Sequence, residues 1–224
     1  FVLDRSEAYI GVMIDDLTTR STTEPYRLFT SRAEYRLALR EDNARDRLYE
    51  YAKKYKLIDN NDFNAFAVLR EETQKEISLL RRKRVNVNDI GELGTRFQKK
   101  ESISLEDLLK QPGVTIKDAL PILAKFDGEF SQDREVLKRA AISIRYRGYV
   151  EKQQREIDKF KRMESEKIPE DFDFESVKGL KREAQDKFIR YRPVSLGQAG
   201  RIEGVTPGDV AVLSVYLKKA KESR

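Results

Sequence analysis

Cysteine and histidine are both missing from the 224 residues of this chain. Without cysteine there is no disulfide, no thiolate nucleophile and no Cys-type zinc site, and thiol usage gives no reading of the redox compartment. Without histidine the chain lacks the usual acid–base group near neutral pH and the commonest metal ligand, which removes Ser-His-Asp and Cys-His arrangements together. Self-contained catalysis is therefore not expected. Long apolar runs are missing too: nothing approaches the roughly 18 residues that a bilayer-spanning helix needs, and no signal-peptide pattern opens the chain. The default expectation is a soluble, cytoplasmic protein with no membrane partner. Its opening, "FVLDRSEAY", has the character of mid-protein sequence, as though the chain were a piece of something larger.

What the chain has in abundance is charge, at 38% of residues, set beside 39% hydrophobic residues that recur periodically. A disordered chain carries too few apolar residues to offset the entropy of ordering, so the expectation is a globular protein with long solvated helices. The balance of 45 basic against 39 acidic residues gives +6. From Phe174 to Arg224 there are eleven Lys and Arg against six Asp and Glu, so +5 of the excess lies in that stretch, a weak pointer to an anionic partner.

Caps and stripes place the elements. Tyr9, Val12, Met13 and Leu17 fit a helical face, although "YIGVMI" would also suit a strand; the helix is preferred. A polar loop, "TTRSTTEP", ends at Pro25. Ser31 and Glu34 in "SRAE" have the capping-box form, which predicts a helix from Arg32. A turn at Glu41–Asn43 precedes a helix from Ala44 to about Tyr55. "DNND" at 59–62 caps the next helix, whose stripe is Phe66, Leu69, Thr73, Ile77 and Leu80. It ends in Arg81, Arg82, Lys83 and Arg84, a cluster explained first by the helix dipole and second by a phosphate-binding patch. Ser104 with Asp107 and Thr115 with Asp118 cap two short helices, one stopped by Pro112-Gly113 and one kinked or ended by Pro121. A long helix runs from Gln132 to about Glu166, with a bend possible at Gly148 or Gln153.

The segment "EKIPEDFDFESVKG" reads as a linker, with a boundary near Pro169. Beyond it, "VKGLKREAQDKF" and "IEGVTPGDVAVL" share an apolar-x-Gly-apolar start before a helix. Gly179 and Gly204 are expected to take positive φ in tight corners. Thr206 is a good N-cap, Pro207 suits the first helical position, and Asp209 completes a variant capping box. Val210, Leu213, Val215 and Leu217 follow as the apolar residues of the last helix, which finishes in Lys218, Lys219 and Lys221. Two readings of the corners stay open: they pack short helices, or their helix N-termini also meet phosphate.

Arg-Tyr-Arg occurs at 145–147 and at 190–192. Guanidinium forks suit phosphate and tyrosine rings suit base stacking, while solvated helix faces with snorkelling arginines are the plainer reading. Arg32, Arg36 and Arg40 fall at i, i+4 and i+8, which would form one basic ridge if the helix continued. Glu34 and Glu41 would partly neutralise it.

Five blocks in order, "RSEAYIGVMIDDL", "EPYRLFTSRAEYRLALREDNARDRL", "RYRGYVEKQQREI", "DFESVKGLKREAQDKF" and "RPVSLGQAGRIEGVTPGDVAVLSVYLKK", make the chain resemble the C-terminal portion of the MnmG (GidA) family. These are flavoproteins of the tRNA wobble-uridine 5-carboxymethylaminomethyl modification pathway. The resemblance implies an all-α fold: an elongated helical domain, a small C-terminal helical module, and a short irregular N-terminal segment left over from the flavin domain. The corresponding division is 1–43, 44–168 and 169–224.

The resemblance further implies FAD and NADH for the full-length protein, none bound by this fragment, since no GxGxxG fingerprint occurs here. It implies tRNA, a partner GTPase of the MnmE/TrmE family and homodimerisation of the full-length protein. Arg27, Arg32, Arg36 and Arg40, together with Arg145, Arg147, Arg190 and Arg192, become the tRNA-facing candidates. Gly197, Gln198, Arg201, Gly204 and Thr206, with Pro207, Leu213, Leu217 and Lys218, become the partner-docking candidates. The fragment alone is expected to be non-catalytic; a purely protein-binding helical scaffold is the alternative.

Overall fold

The capping signals at Asp59, Ser104, Thr115 and Thr206 reappear as helix starts in the computed structural model, which describes residues 1–19, 25–97 and 99–222. Its helices are α1 (Tyr9–Thr19), α2 (Ala44–Tyr55), α3 (Asn60–Arg82), α4 (Leu105–Leu109), α5 (Ile116–Leu123), α6 (Arg134–Ser165), α7 (Arg182–Tyr191), α8 (Leu196–Arg201) and α9 (Pro207–Glu222). Among the described residues the one sheet is an antiparallel ribbon of β1 (Arg84–Asn86) and β2 (Ser102–Ser104), with Val85 opposite Ile103. The fold is all-α apart from this ribbon. Of the polar loop expected at 18–25, residues 20–24 lie outside the described residues.

The chain divides into two compact units, Glu41–Glu151 and a second made of Phe1–Arg40 with Lys152–Arg224. The sequence division at 43/44 and 168/169 differs, because the continuity of α6 led residues 152–168 to be grouped with the middle of the chain. Their apolar side chains Ile157 and Phe160 in fact pack with Val12, Tyr35, Ala38 and Leu39.

In the Glu41–Glu151 unit, the Asp59 carboxylate accepts from Asp62 N at 2.8 Å and starts α3, as the sequence predicted. Phe66, Thr73, Ile77 and Leu80 are buried along its stripe, joined by Glu76. Ser104 caps α4 by accepting from Asp107 N at 3.0 Å, and Thr115 and Asp118 form the capping box of α5. Pro121 sits inside α5, two residues before its end. The core gathers Leu80, Val85, Ile103, Leu108, Val114, Ile122, Leu137 and Ile144. Only Val85 of β1 points inward, and so short an alternation gives little strand signal in sequence.

In the other unit the helix predicted from Arg32 does not form. Thr30–Arg32 makes one 3-10 turn, and Ala33 at φ −95 and ψ 93 is extended. The reason is competition for the capping groups. Glu34, which would have reached back to its own N-cap, instead accepts from Arg5 Nη2 at 2.9 Å, and Arg5 also donates to the Arg32 carbonyl at 3.0 Å. Gln153 takes the Ala38 N–H at 2.8 Å and donates to the Glu34 carbonyl at 3.2 Å. Local helix preference yields to these bonds from residues distant in sequence.

The C-terminal module of the same unit surrounds a core of Phe174, Ala184, Phe188, Leu196, Ala199, Val210, Leu213 and Leu217. Gly179 (φ 93) and Gly204 (φ 82) turn the chain before α7 and α9 in the left-handed region, as expected.

Candidate functional site

The arginine segment 26–40 is organised around Arg5, which is 2% exposed. Its guanidinium reaches Asp16 at 3.0 Å, Asp15, and Glu34 at 2.9 Å. Burial by itself would lower the Arg5 pKa, but Glu34, Asp16 and Asp15 outweigh it and hold the side chain charged far above any ordinary pH. Asp16, wholly buried, also accepts from the Tyr26 hydroxyl at 3.1 Å and pairs with Arg32 at 3.6 Å. Tyr35 lies in the same neighbourhood at 8% exposure; burial, then Glu34 and Glu156, push its phenol up to about 12.

The four arginines of this segment do not share a helical ridge. Arg32 stacks over Tyr26 and Phe29, with 5.5 Å to each ring centroid. Arg40 donates to the Leu37 carbonyl at 2.8 Å. Arg27 and Arg36 are exposed, Arg27 lying 5.8 Å from the Phe29 ring. Arg5 escapes a reading of local pattern, because a single arginine before a helix carries no periodicity.

The two Arg-Tyr-Arg copies behave differently. In the Glu41–Glu151 unit, Arg145 donates to the Val114 carbonyl and Arg147 to the carboxylate of Glu106. Glu106 is 5% exposed and also pairs with Arg81 at 3.1 Å and Lys110 at 3.0 Å. Burial would push its carboxyl up, but the Lys110 hydrogen bond, the charges of Arg147 and Lys110 and the Arg81 hydrogen bond hold it below the usual glutamate value. The basic end of α3 is thus partly spent on tertiary pairs, with Lys83 held by Glu129 and Arg84 donating to the Ser102 carbonyl at 2.8 Å. In the other unit Arg190 is exposed, while Arg192, at φ 44, donates to the Phe172 carbonyl at 3.2 Å and stacks on Phe174.

The glycine-punctuated block needs correction as a docking face. Leu213 and Leu217, at 0% and 2% exposure, fill the module's core and offer nothing to a partner, because their side of α9 faces α8 and α7. Gly197 is buried against Glu164, where an added Cβ would come within 2.2 Å of the carboxylate oxygen. Gln198 accepts from Val194 N at 2.7 Å. Arg201 bonds Glu164, pairs with Asp15 at 2.9 Å and stacks 5.3 Å from the Phe160 centroid. Gly204, Pro207 and Lys218 are exposed, and Thr206 is half-buried. Val215, counted among the apolar residues of α9 by sequence, is 52% exposed.

Asp209 does more than the capping pattern announces. Its carboxylate accepts from Thr206 N at 2.9 Å and from the Thr206 hydroxyl, and from Lys181 N at 3.3 Å. Lys181 is the N-cap residue of α7 and has no side-chain cap of its own. One carboxylate therefore serves the starts of both α7 and α9, and these hydrogen bonds hold its pKa below the ordinary aspartate value.

A dinucleotide such as FAD is held by a glycine-rich turn between a parallel strand and a helix. The described residues form no parallel strand pair, and the glycine-rich α8 is packed against Glu164 rather than open. These residues do not fit the cofactor.

Residues 156–224 match the family description "tRNA modifying enzyme MnmG/GidA C-terminal helical bundle", and residues 60–154 match "tRNA modifying enzyme MnmG/GidA C-terminal helical domain". The tRNA uridine 5-carboxymethylaminomethyl modification enzyme MnmG of Alkaliphilus metalliredigens is 43% identical, over 100% of this chain and 36% of that protein. The protein of the same name from Lactobacillus acidophilus is 43% identical with the same coverage, 100% and 36%. A crystal structure of Aquifex aeolicus GidA superposes with a TM-score of 0.75 at 37% identity, covering 97% of this chain and 34% of that one. The chain thus spans about a third of the length of these relatives. Its helical units and its sequence agree from end to end: the chain belongs to the MnmG/GidA family, as that family's C-terminal helical portion.

Proposed function

We propose that this chain is the recognition part of an enzyme that modifies the wobble uridine of tRNA, gripping tRNA and docking a partner GTPase while the chemistry proceeds elsewhere. The observation that carries the reading is the pinned segment 26–40. Buried Arg5 fixes its backbone at the Arg32 carbonyl and its side chains at Glu34, and leaves Arg27 and Arg36 exposed on a rigid support. Cations held without the entropy cost of ordering a loop suit a phosphate backbone. Arg190 is exposed as well and extends the candidate set, whereas Arg32, Arg40, Arg145, Arg147 and Arg192 also serve bonds within the chain.

In this reading FAD and NADH act in the remainder of a longer, homodimeric cytoplasmic protein. No helix among the described residues is long and apolar enough to cross a membrane. The GTPase of the MnmE/TrmE family would meet the exposed side of the C-terminal module, where Gly204, Pro207, Val215 and Lys218 lie, with Gly197, Leu213 and Leu217 supporting it from within.

Binding of labelled tRNA by the chain tests the first half. Arg27→Ala with Arg36→Ala is expected to weaken binding about tenfold and to flatten its salt dependence. Unchanged affinity with intact folding refutes RNA contact at this segment and favours the protein-binding scaffold. Pull-down of the GTPase tests the second half: Val215→Asp with Lys218→Glu should abolish retention, and undiminished retention refutes this docking face.

A further inference from the structure

We propose that Arg201, in the C-terminal module, is a positioning residue for tRNA binding: acting through Asp15 and Arg5, it holds the segment 26–40 in the form that presents Arg27 and Arg36. This rests on the reading that tRNA binds at that segment, and it gives Arg201 a different part from the partner docking that the family resemblance assigned to it. The Arg201 side chain is 14% exposed, and both ends of its fork are spent inside the unit. Nη1 bonds Glu164 near the end of α6, Nη2 bonds Asp15 of α1 at 2.9 Å, and the guanidinium lies 5.3 Å from the Phe160 centroid.

Asp15 passes this contact on. One of its oxygens takes Arg201 and the other takes Arg5 Nη1, the same nitrogen that donates to Asp16 at 3.0 Å. Consecutive helical residues point roughly 100° apart, so Asp15 meets α8 while Asp16 meets Tyr26 and Arg32 of the segment. Arg5 joins the two. Its Nη2 donates to the Arg32 carbonyl at 3.0 Å and to Glu34 at 2.9 Å, and its Nε reaches Glu34 at 3.4 Å. Every N–H of this guanidinium is thereby used. A buried fork with no spare donor cannot turn to a new acceptor without leaving a group unpaired, so a shift of Asp15 is carried to Arg32 and Glu34 rather than absorbed.

The two ends of this relay differ. Arg5 is saturated, whereas Nε of Arg201 is buried without a partner among the described residues. A contact that served stability alone would be made as well by apolar side chains, since a buried ion pair gains little over an apolar contact of the same size. What the pair supplies is direction: carboxylates from α1 and α6 fix where the Arg201 fork sits, and the Asp15 that it holds fixes Arg5. Cations already in place when RNA arrives spare the cost of ordering them.

The test pairs hydrogen exchange of the whole chain with titration of labelled unmodified tRNA over a range of salt. Arg201→Met keeps an unbranched chain against Phe160 and removes both ion pairs. Exchange should quicken over residues 29–34, where the Arg32 and Ala33 amides bond the Phe29 and Thr30 carbonyls, and tRNA affinity should fall by about three- to fivefold. The slope of log affinity against log salt should stay as in the parent chain, because the bound complex regains the same phosphate contacts. A phosphate contact made by Arg201 itself would flatten it by about 0.7 to 0.9. Asp15→Asn weakens the same link, so the two substitutions together should cost less than the sum of each alone. Arg201→Lys, which returns a cation beside Asp15, should recover part of the affinity. Should circular dichroism show Arg201→Met unfolded, the same readings are taken on Asp15→Asn.

If Arg201→Met quickens exchange in α8 and α9 alone and binds tRNA as the parent does, Arg201 merely stabilises its own module and the proposal is refuted. Retained tRNA affinity with loss of the partner GTPase assigns Arg201 to docking and refutes it as well. A flattened slope makes Arg201 a phosphate contact and overturns the positioning role. A parent chain that binds no tRNA at any salt overturns the underlying reading, an outcome seen without any variant and so distinct from failure at Arg201.

Discussion

Replacing Asp209 by alanine tests whether the C-terminal module is held by its corners. The side chain is 3% exposed, and three donors converge on it: Thr206 N at 2.9 Å, the Thr206 hydroxyl, and Lys181 N at 3.3 Å. Loss of an N-terminal cap typically costs about 1 kcal/mol. Asp209 serves two helix starts, and its charge-assisted bonds are stronger than neutral ones. Thr206 is half-buried and Lys181 exposed, so water recovers part of what their N–H groups lose.

The expected cost is about 2–3 kcal/mol, near the sum of two caps plus the loss of a negative charge at the positive end of α9. It should appear in hydrogen exchange as faster opening of the first turns of α7 and α9 together. Asp209→Asn, which keeps one acceptor, should cost less.

The pH dependence gives a second handle. The Asp209 pKa is depressed in the folded chain, so its contribution is fully present above the unfolded aspartate value of about 3.9 and is lost as pH falls through the folded value. The gap between the parent chain and the alanine variant should therefore close as the medium is acidified. A cost below about 0.5 kcal/mol, or faster exchange in α9 with α7 unaffected, would refute the shared cap.

Other perturbations follow from the same contacts. Gly197→Ala forces a methyl group to within 2.2 Å of the Glu164 carboxylate, which is already bonded to Ser195 and Arg201, and should cost about 1–3 kcal/mol by thermal melting. Glu76 is 3% exposed, accepts from Ser131 N at 3.2 Å and leaves Oε1 buried without a partner, and burial pushes its carboxyl up. The folded chain therefore holds this proton more tightly than the unfolded chain, so the charged form costs stability at high pH and nothing below the unfolded glutamate value of about 4.3. Glu76→Gln should raise the melting temperature by about 2–4 °C at pH 8, with the gain vanishing toward pH 4. Glu106→Gln, which weakens three charge-assisted bonds at a buried site, should destabilise the Glu41–Glu151 unit by about 2 kcal/mol in urea titration, and no change would show that those pairs carry no net stability.

Interactions that close within a helical turn were legible in the linear chain. The caps at Asp59, Ser104, Thr115 and Thr206, the stripe of α3 and the positive-φ glycines 179 and 204 each depend on groups no more than four residues apart, or on the backbone of one residue. Composition also spoke plainly, since residue types absent from the chain exclude chemistry whatever the fold.

What failed, failed where a distant partner outbid a local one. Ser31 and Glu34 carry a sound helix-start pattern, yet Arg5 from upstream takes the Glu34 carboxylate and Gln153 from far downstream takes the Ala38 N–H and the Glu34 carbonyl, and the basic ridge vanishes with the helix. Leu213 and Leu217 read as apolar in either setting, and only packing decides that they face inward.

By itself, then, the sequence determined most of the helices, the caps that close within a turn, the tight corners and the family. Only the tertiary structure decided which charges stand free and which are spent. Arg81, Glu106 and Arg147 come from three helices, Lys110 from the C-cap of α4, and the four have no common period; Asp209 reaches Lys181 across 28 positions. The strength of a charge–charge contact depends on separation in space and on exclusion of water, and neither quantity is written in the order of residues.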